Sequence, residues 1–311
     1  MADDAAVPAI AIGPAPDPLL EDAVRRGGAR VAPLESADAL VWTTGPIGFP
    51  DPLPEKIRWV QLNSAGVEEW FAAKVIRPDS TVLWTSAAGA FAATVAEHAL
   101  TLLLAGVRAL PEHLEAKTWR QQEFFSKVGT LRGTTVAIVG AGGIGRALIP
   151  MLAGVGADVI AVNRSGSPVP GAIETLPTTR LGEVWARADH FVLGAPATDA
   201  THHLVGAAEF AQMKPTAWVI NVARGSLVHT NALVKALRDN TIGGAGLDVT
   251  DPEPLPDGHP LWNLPNVIIT PHDSNPPAVR PPAFAEHVAL NVTRFVAGEN
   301  LTALIDPVVG Y

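Results

Sequence analysis

The sequence predicts an α/β protein built as two doubly wound parallel-sheet domains with a cleft between them. Three observations carry that prediction. Short apolar, β-branched runs alternate with helical patterns along nearly the whole chain. One of these runs ends in glycines spaced G-x-G-x-x-G and passes at once into an Ala/Leu-rich helical stretch. Long helical patterns leave the first alternating region near Ala93 and return near the C-terminus, so two segments build one domain. The expected division is 1–92 with 283–311 for the first domain and 93–282 for the second.

The elements follow in order. Ala9-Ile-Ala-Ile12 is a strand and Leu19 to Arg26 a helix, with further strands at Ala39–Trp42, Trp59–Leu62 and Thr81–Trp84. Ala93 to Arg108 is a long helix. Strands at Val136–Val139 and Asp158–Val162 flank the glycine loop. Four more are expected at His190–Leu193, Ala217–Asn221, Gly244–Asp248 and Val267–Thr270, with helical stretches between them and a doubly wound sheet ending near residue 275. A final helix runs from Pro282 to Ala297.

The most informative stretch is Val136-Ala-Ile-Val-Gly140-Ala-Gly142-Gly143-Ile144-Gly145. Strand, tight turn and helix N-terminus together form the arrangement that binds the pyrophosphate of a dinucleotide. Gly140 permits the turn, Gly142 lets backbone approach phosphate, and Gly145 lets helix and strand pack closely. Backbone N–H groups of the loop, Gly143 and Ile144 included, then face the anion with the positive end of the helix dipole. The domain is therefore Rossmann-like, its partner Rossmann-like or flavodoxin-like. The second strand of the unit ends in Asn163-Arg164-Ser165. An NAD site places Asp or Glu there to bond the ribose 2′-hydroxyl, whereas Arg accommodates a 2′-phosphate. Asn163 carries no repelling carboxylate, Arg164 offers a planar cation and Ser165 a donor. NADP(H) is the expected cofactor, with NAD(H) still open.

Composition bounds the alternatives. The 311 residues are enough for two domains, and hydrophobic content of 48% comes without an apolar run able to span a bilayer. A soluble, cytoplasmic protein with no membrane partner is expected, and the start Met1-Ala-Asp-Asp lacks the basic region of a signal peptide. With no cysteine, disulfides and thiolate chemistry are excluded. No cluster has metal-ligand spacing, so no metal is expected. A formal charge of −9 argues against nucleic acid, and the 28 prolines stiffen the loops.

Three polar residues fall at late strand ends: Arg224 in Asn221-Val-Ala-Arg-Gly225, Glu253 beyond Leu247-Asp-Val-Thr-Asp-Pro, and His272 in Ile269-Thr-Pro-His272. Ligands of open α/β sheets bind beyond the carboxyl ends of strands. An Arg, a Glu and a His there suit reduction of a 2-oxo acid. The guanidinium clamps a carboxylate and polarises the carbonyl, the imidazolium protonates the carbonyl oxygen, and the carboxylate orients the ring.

These stretches, together with Leu62-Asn-Ser-Ala-Gly-Val67, Val95-Ala-Glu-His98 and Ala195-Pro-Ala-Thr198 with Thr201, resemble the D-isomer-specific 2-hydroxyacid dehydrogenase family. That family includes glyoxylate/hydroxypyruvate reductases, phosphoglycerate dehydrogenases and phosphite dehydrogenases. The resemblance runs from about residue 59 to 300 and assigns Arg224 to carboxylate and carbonyl binding, His272 to acid/base catalysis and Glu253 to pairing with it. It places substrate-carboxylate binding at backbone N–H groups near Ala65 and Gly66. Cofactor contacts fall to Pro196, Thr201, Ala223, Asp248 and His272. It also implies a homodimer joined through the dinucleotide-binding domain, and hinge helices that close the cleft over substrate.

Departures qualify the match. Asp273 stands where a small or apolar residue is usual; either it or Ser274 caps the following helix, or it acts as a second carboxylate beside the histidine. His229 replaces an acidic or amide residue and has no evident role. Ala65 offers no lysine of the phosphite type, and Glu253 is not the glutamine of formate enzymes. His98 reads as a packing or capping contact, and His203 of the pair His202-His203 as structural. Trp119, Arg120 and Phe124-Phe125 read as interdomain packing or a dimer contact, and Trp262 as a core or lid residue. The expectation is an NADPH-preferring reductase of glyoxylate or hydroxypyruvate, on a chain too short for an added regulatory domain. Alternatives are an NAD(P)-dependent dehydrogenase of a bulkier D-2-hydroxy acid, and a catalytically silent dinucleotide-sensing binding protein.

Overall fold

The computed structural model describes residues 7–310; the Met1-Ala-Asp-Asp start lies outside them. The chain divides into two compact units, one made of the residues up to Phe91 together with those from Pro276 onward, the other of Ala92–Asn275.

The first unit is a five-stranded, all-parallel sheet of β1 (Ala9–Gly13), β2 (Arg30–Val31), β3 (Ala39–Trp42), β4 (Trp59–Leu62) and β5 (Leu83–Thr85), in the order β2-β1-β3-β4-β5. Both faces are covered, so the central strands read as unbroken apolar runs. Alternate residues point to opposite sides. Ile10, Val41 and Trp59 pack with Leu20 and Val24 of the helix Pro18–Arg26 and with Phe284, Val288 and Val292 of the terminal helix Arg280–Ala297. Leu40, Trp42, Val60 and Leu62 face Trp70 and Trp84 on the other side. The first helix is capped by Asp17, whose side chain accepts from the N–H groups of Leu19 and Leu20, with Pro18 in its first turn.

A polar seam invisible in the sequence runs through this core. Thr85 accepts from Trp59 Nε1 at 2.8 Å and donates to Gln61 Oε1 at 2.9 Å, and Asn291 Nδ2 donates to the same oxygen at 2.8 Å. Gln61 Nε2 in turn donates to the carbonyls of Leu62 and Ser86. Gln61, Thr85 and Asn291 are fully buried, and each finds partners. The seam anchors the end of β4, from which the loop carrying Ala65 and Gly66 departs.

The second unit is a seven-stranded parallel sheet of β6 (Thr135–Val139), β7 (Asp158–Asn163), β8 (Glu174–Pro177), β9 (His190–Leu193), β10 (Trp218–Asn221), β11 (Gly244–Leu247) and β12 (Val267–Ile269), in the order β12-β11-β10-β9-β6-β7-β8. The order reverses between β6 and β9, which makes the carboxyl ends of those strands the topological switch point.

The structure differs from expectation at several places. The two-residue β2 is too short to stand out in sequence, and the edge strand β8, Glu174-Thr-Leu-Pro177, is too polar and ends in proline. β5 starts at Leu83 rather than Thr81, because Ser80 Oγ accepts from Val82 N and turns the chain first. The terminal helix starts at Arg280, with Val279 as N-cap and no side-chain cap bond, so neither Asp273 nor Ser274 caps it. Their backbone N–H groups instead donate to the Asp248 carboxylate. Phe124 is buried and stacks on His113 at 3.9 Å, whereas Trp119 and Phe125 are 89% and 70% exposed. Trp262 is also exposed, its Nε1 donating to the Pro256 carbonyl.

Candidate active site

One row of residues aligns the site. Val162, Val139, Leu193, Asn221, Leu247 and Ile269 are register partners across six neighbouring strands. The candidate residues of this unit lie just beyond that row, at the strand ends, in the loops that leave them or in the first turn of the helix Gly143–Gly154. Residues scattered through the sequence are thereby delivered to one edge of one sheet.

The glycine loop is built as its spacing requires. Gly140 has φ +94°, and a Cβ there would lie 2.3 Å from the backbone nitrogen of Ala195, so the loops after β6 and β9 cross at van der Waals distance. A Cβ on Gly145 would meet Ile138 at 3.0 Å, the close packing of helix Gly143–Gly154 on β6. Around Gly142, the N-cap, nothing lies within 4 Å of a Cβ position, which leaves room for a phosphate group against the first-turn N–H groups of Gly143 and Ile144. These residues therefore fit the pyrophosphate of a dinucleotide.

Beyond β7, Asn163 organises its own loop. Its Oδ1 accepts from Gly166 N at 2.7 Å and its Nδ2 donates to the Ser167 carbonyl at 2.8 Å. Ser165 and Ser167 hydroxyls bond each other at 2.7 Å, and the exposed Arg164 sits beside them. The strand end thus presents a guanidinium and hydroxyls with no carboxylate. Asn163 acts on the turn, and Ser167, which sequence reading omitted, completes the hydroxyl pair. After β9, Thr201 closes the next loop: its hydroxyl donates to the Pro196 carbonyl at 2.7 Å and accepts from Thr198 N at 2.8 Å. Pro196 is exposed on that loop.

Arg224 is set by Asn221, a fully buried side chain that also escaped the sequence reading. Asn221 Oδ1 accepts from Ala223 N at 3.1 Å, and its Nδ2 donates to the Arg224 carbonyl at 2.8 Å. Arg224 Nη1 donates to the Ala223 carbonyl at 2.7 Å, and the side chain is half-buried. The next residue must be glycine: a Cβ on Gly225 would lie 1.9 Å from the Thr250 carbonyl oxygen. That contact presses the Arg224 turn against the loop carrying Glu253.

Glu253 and His272 form the core of the site. Glu253 Oε1 is 2.7 Å from His272 Nδ1, and Glu253 Oε2 accepts from Thr250 N at 3.3 Å. Both side chains are nearly half exposed, at 42% and 49%, so the pair is open to a ligand. The buried Asp248 supports it from below. Its Oδ1 accepts from the Thr270 hydroxyl at 2.6 Å and from Asp273 N at 3.0 Å, and its Oδ2 from Ser274 N at 3.3 Å. Its own carbonyl accepts from His272 N at 2.9 Å. These bonds wrap the chain around Asp248 and hold His272 at φ +54°, a conformation that side-chain-bearing residues rarely adopt. His98, on the long helix Ala92–Val107, adds a bond from Nε2 to Thr270 Oγ1 at 2.9 Å. Nothing in the sequence separates His98 and Thr270 from ordinary packing residues, because their partners arrive from distant strands.

The other histidines acquire roles. His229 is the N-cap of helix Thr230–Arg238, its Nδ1 accepting from Ala232 N. The His202 and His203 rings lie tilted with centroids 3.8 Å apart, and burial, reinforced by the neighbouring imidazoles of His202 and His229, lowers the His203 pKa below its ordinary value. In the first unit, the loop bearing Ala65 and Gly66 is tied down by Asn63 Nδ2, which donates to the Thr43 carbonyl, and by the Ser64 carbonyl, which accepts from Ala87 N at 2.8 Å.

Comparison with known proteins gives a consistent picture. The model of the D-isomer specific 2-hydroxyacid dehydrogenase NAD binding domain matches residues 99–274. An uncharacterized protein of Corynebacterium melassecola is 43% identical over 293 residues, covering 93% of this chain and 95% of that protein. A glyoxylate reductase of Thermococcus gammatolerans is 34% identical over 222 residues, which is 68% of this chain and 65% of that enzyme, slightly under two thirds of its length. The crystal structure of an NADPH-dependent glyoxylate/hydroxypyruvate reductase of Sinorhizobium meliloti, in complex with NADP and sulfate, aligns with a TM-score of 0.77 at 25% identity, covering 98% of this chain and 100% of that one.

Proposed function

This chain belongs to the D-isomer specific 2-hydroxyacid dehydrogenase family of NAD(P)-dependent oxidoreductases, and on that premise we propose that it is an NADPH-preferring reductase of small 2-oxo acids, glyoxylate or hydroxypyruvate, forming D-2-hydroxy acids. The observation that carries the reading is the His272–Glu253 pair at 2.7 Å, beyond the same strand-end row as Arg224 and the glycine loop.

The nicotinamide cofactor supplies the hydride. Gly140, Gly142, Gly143, Ile144 and Gly145 would hold its pyrophosphate, with Pro196, Thr201, Ala223 and Asp248 contributing from the neighbouring strand-end loops. Arg224 pairs with the substrate carboxylate and draws electron density from the carbonyl oxygen as negative charge develops there. Glu253 takes the Nδ1 proton of His272 in a hydrogen bond, which leaves Nε2 as the atom that gives a proton to the carbonyl oxygen. In the reverse direction the same Nε2 removes the hydroxyl proton. Ala65 and Gly66 are assigned to substrate binding by family resemblance. The absence of a carboxylate in Asn163-Arg164-Ser165, with Arg164 and the serine hydroxyls exposed, supports the preference for a 2′-phosphate. The exposed Trp119 and Phe125 support a homodimer formed through the dinucleotide-binding unit.

Initial rates of NADPH and NADH consumption, measured in parallel with glyoxylate, hydroxypyruvate, pyruvate and a bulky branched or aryl 2-oxo acid, test the proposal. We expect the highest kcat/KM for NADPH with glyoxylate or hydroxypyruvate. A preference for the bulky acid overturns the substrate and keeps the mechanism. Silence with every substrate, despite NADPH binding, overturns the enzymatic reading in favour of dinucleotide sensing.

A further inference from the structure

On the same unit, the loops after β9 and β11 bring together residues far apart in sequence. One ligand atom from each of His202, His203 and Asp251 lies within 4.8 Å of the others. His203 Nε2 is 4.0 Å from Asp251 Oδ2, and the His203 ring is flanked by His202 at 3.8 Å and His229 at 4.5 Å. The backbones that aim these groups are fixed by bonds that spare the ligand atoms. His203 has φ +52°, and its N–H donates to the Ser226 carbonyl at 2.7 Å. Val205 bridges to Val228, and the Asp251 carbonyl accepts from the Thr230 hydroxyl at 2.5 Å. With the backbones fixed, the side-chain torsions are what must close the remaining distance.

We propose that His202, His203 and Asp251 form a three-ligand site for a divalent transition metal of the Zn²⁺ class, with water in the fourth position. Two imidazoles and one carboxylate suit Zn²⁺, Co²⁺ or Ni²⁺, whereas Mg²⁺ and Ca²⁺ call for oxygen-rich shells. Around a tetrahedral ion with bonds of about 2.0–2.1 Å, neighbouring ligand atoms stand roughly 3.3 Å apart. That separation is a modest contraction of the spacing present here. The bound ion would join the two loops, one of which carries Glu253 two residues beyond Asp251. It is a clamp on the fold rather than a participant in hydride transfer.

The test uses the full-length chain stripped of metal and titrated with Zn²⁺ alone, followed by thermal unfolding, and with Co²⁺ alone, followed by its visible d–d bands. We expect one ion per chain, a raised Tm and tetrahedral Co²⁺ bands. His203→Gln and Asp251→Asn should each weaken the apparent affinity at least about tenfold, as loss of one ligand of three implies. Glu253→Gln removes the His272–Glu253 pair and should leave binding unchanged. Absence of Tm shift and bands overturns the proposal. So does a response that survives both His203→Gln and Asp251→Asn, or one lost in Glu253→Gln alone, which would place the ion at His272.

Discussion

His272 shows how much chemistry rests on one backbone conformation. Its φ of +54° is held by bonds converging on Asp248, and its Nδ1 is engaged by Glu253, so in the proposed reaction Nε2 is the atom left to exchange a proton with substrate. His272→Asn should lower kcat by about 10²–10⁴-fold, the usual contribution of a positioned acid/base group. Cofactor affinity, measured by NADPH fluorescence titration, should change little. Surviving turnover with lost affinity would show that the imidazole serves binding instead. Arg164→Asp places a carboxylate where a 2′-phosphate would sit. The ratio of kcat/KM for NADPH over NADH should fall at least about tenfold, since a charge-assisted hydrogen bond contributes about 1.5–3 kcal/mol. An unchanged ratio means Arg164 makes no contact there. Arg224, Glu253 and His272 were legible at this scale because their chemistry is distinctive in strand-end positions. Asn221, Thr270 and His98 were not, since a buried Asn or Thr acquires meaning only from the partners that folding delivers.

At the scale of elements, β9 and β10 carry a titratable group in their shared core. His190 is 5% exposed, and its Nδ1 accepts from Trp218 N at 3.2 Å, which requires a neutral ring. Burial drives its pKa down to about 4 from 6.5, against a smaller opposing pull from Asp189. The unfolded chain therefore binds a proton near pH 6.5 that the folded chain refuses until about pH 4. Stability from this residue is complete above pH 6.5 and is lost as pH falls through that window, to an extent on the order of 3 kcal/mol. Urea unfolding of the protein and of His190→Asn at pH 7 and pH 4.5 checks this. The unfolding free energy of the variant should fall less between the two pH values, and equal falls would refute the assignment. Most elements were readable from periodicity alone, because strands buried on both faces need continuous apolar runs. β2 escaped because it has only two residues, and β8 because Glu174-Thr-Leu-Pro177 is not an apolar run.

For the whole molecule, the assembly state is the property to measure. The segment between the long helix and β6 buries Phe124 and leaves Trp119 and Phe125 exposed, an arrangement that suits a second copy of the chain. Light scattering after size exclusion should give twice the 32.5 kDa chain mass. Trp119→Ser with Phe125→Ser should shift the population toward monomer. A monomer before substitution would overturn the dimer and leave the catalytic reading standing. No helix among the described residues is long and apolar enough to cross a membrane.

The sequence by itself determined the parallel α/β class and the glycine loop, and singled out Arg224, Glu253 and His272 as candidates, because each is a local signal. Apolar periodicity, glycine spacing and residue type are all written within a few positions of the chain. Only the tertiary structure decided what holds those residues in place: the Gln61–Thr85–Asn291 seam beneath the Ala65 loop, the Asp248 carboxylate that bends the chain at His272, and the meeting of His202, His203 and Asp251. These depend on strand register, which brings Asn221, Leu247 and Ile269 side by side. Register follows from the packing of the whole sheet, and no short stretch of sequence encodes it.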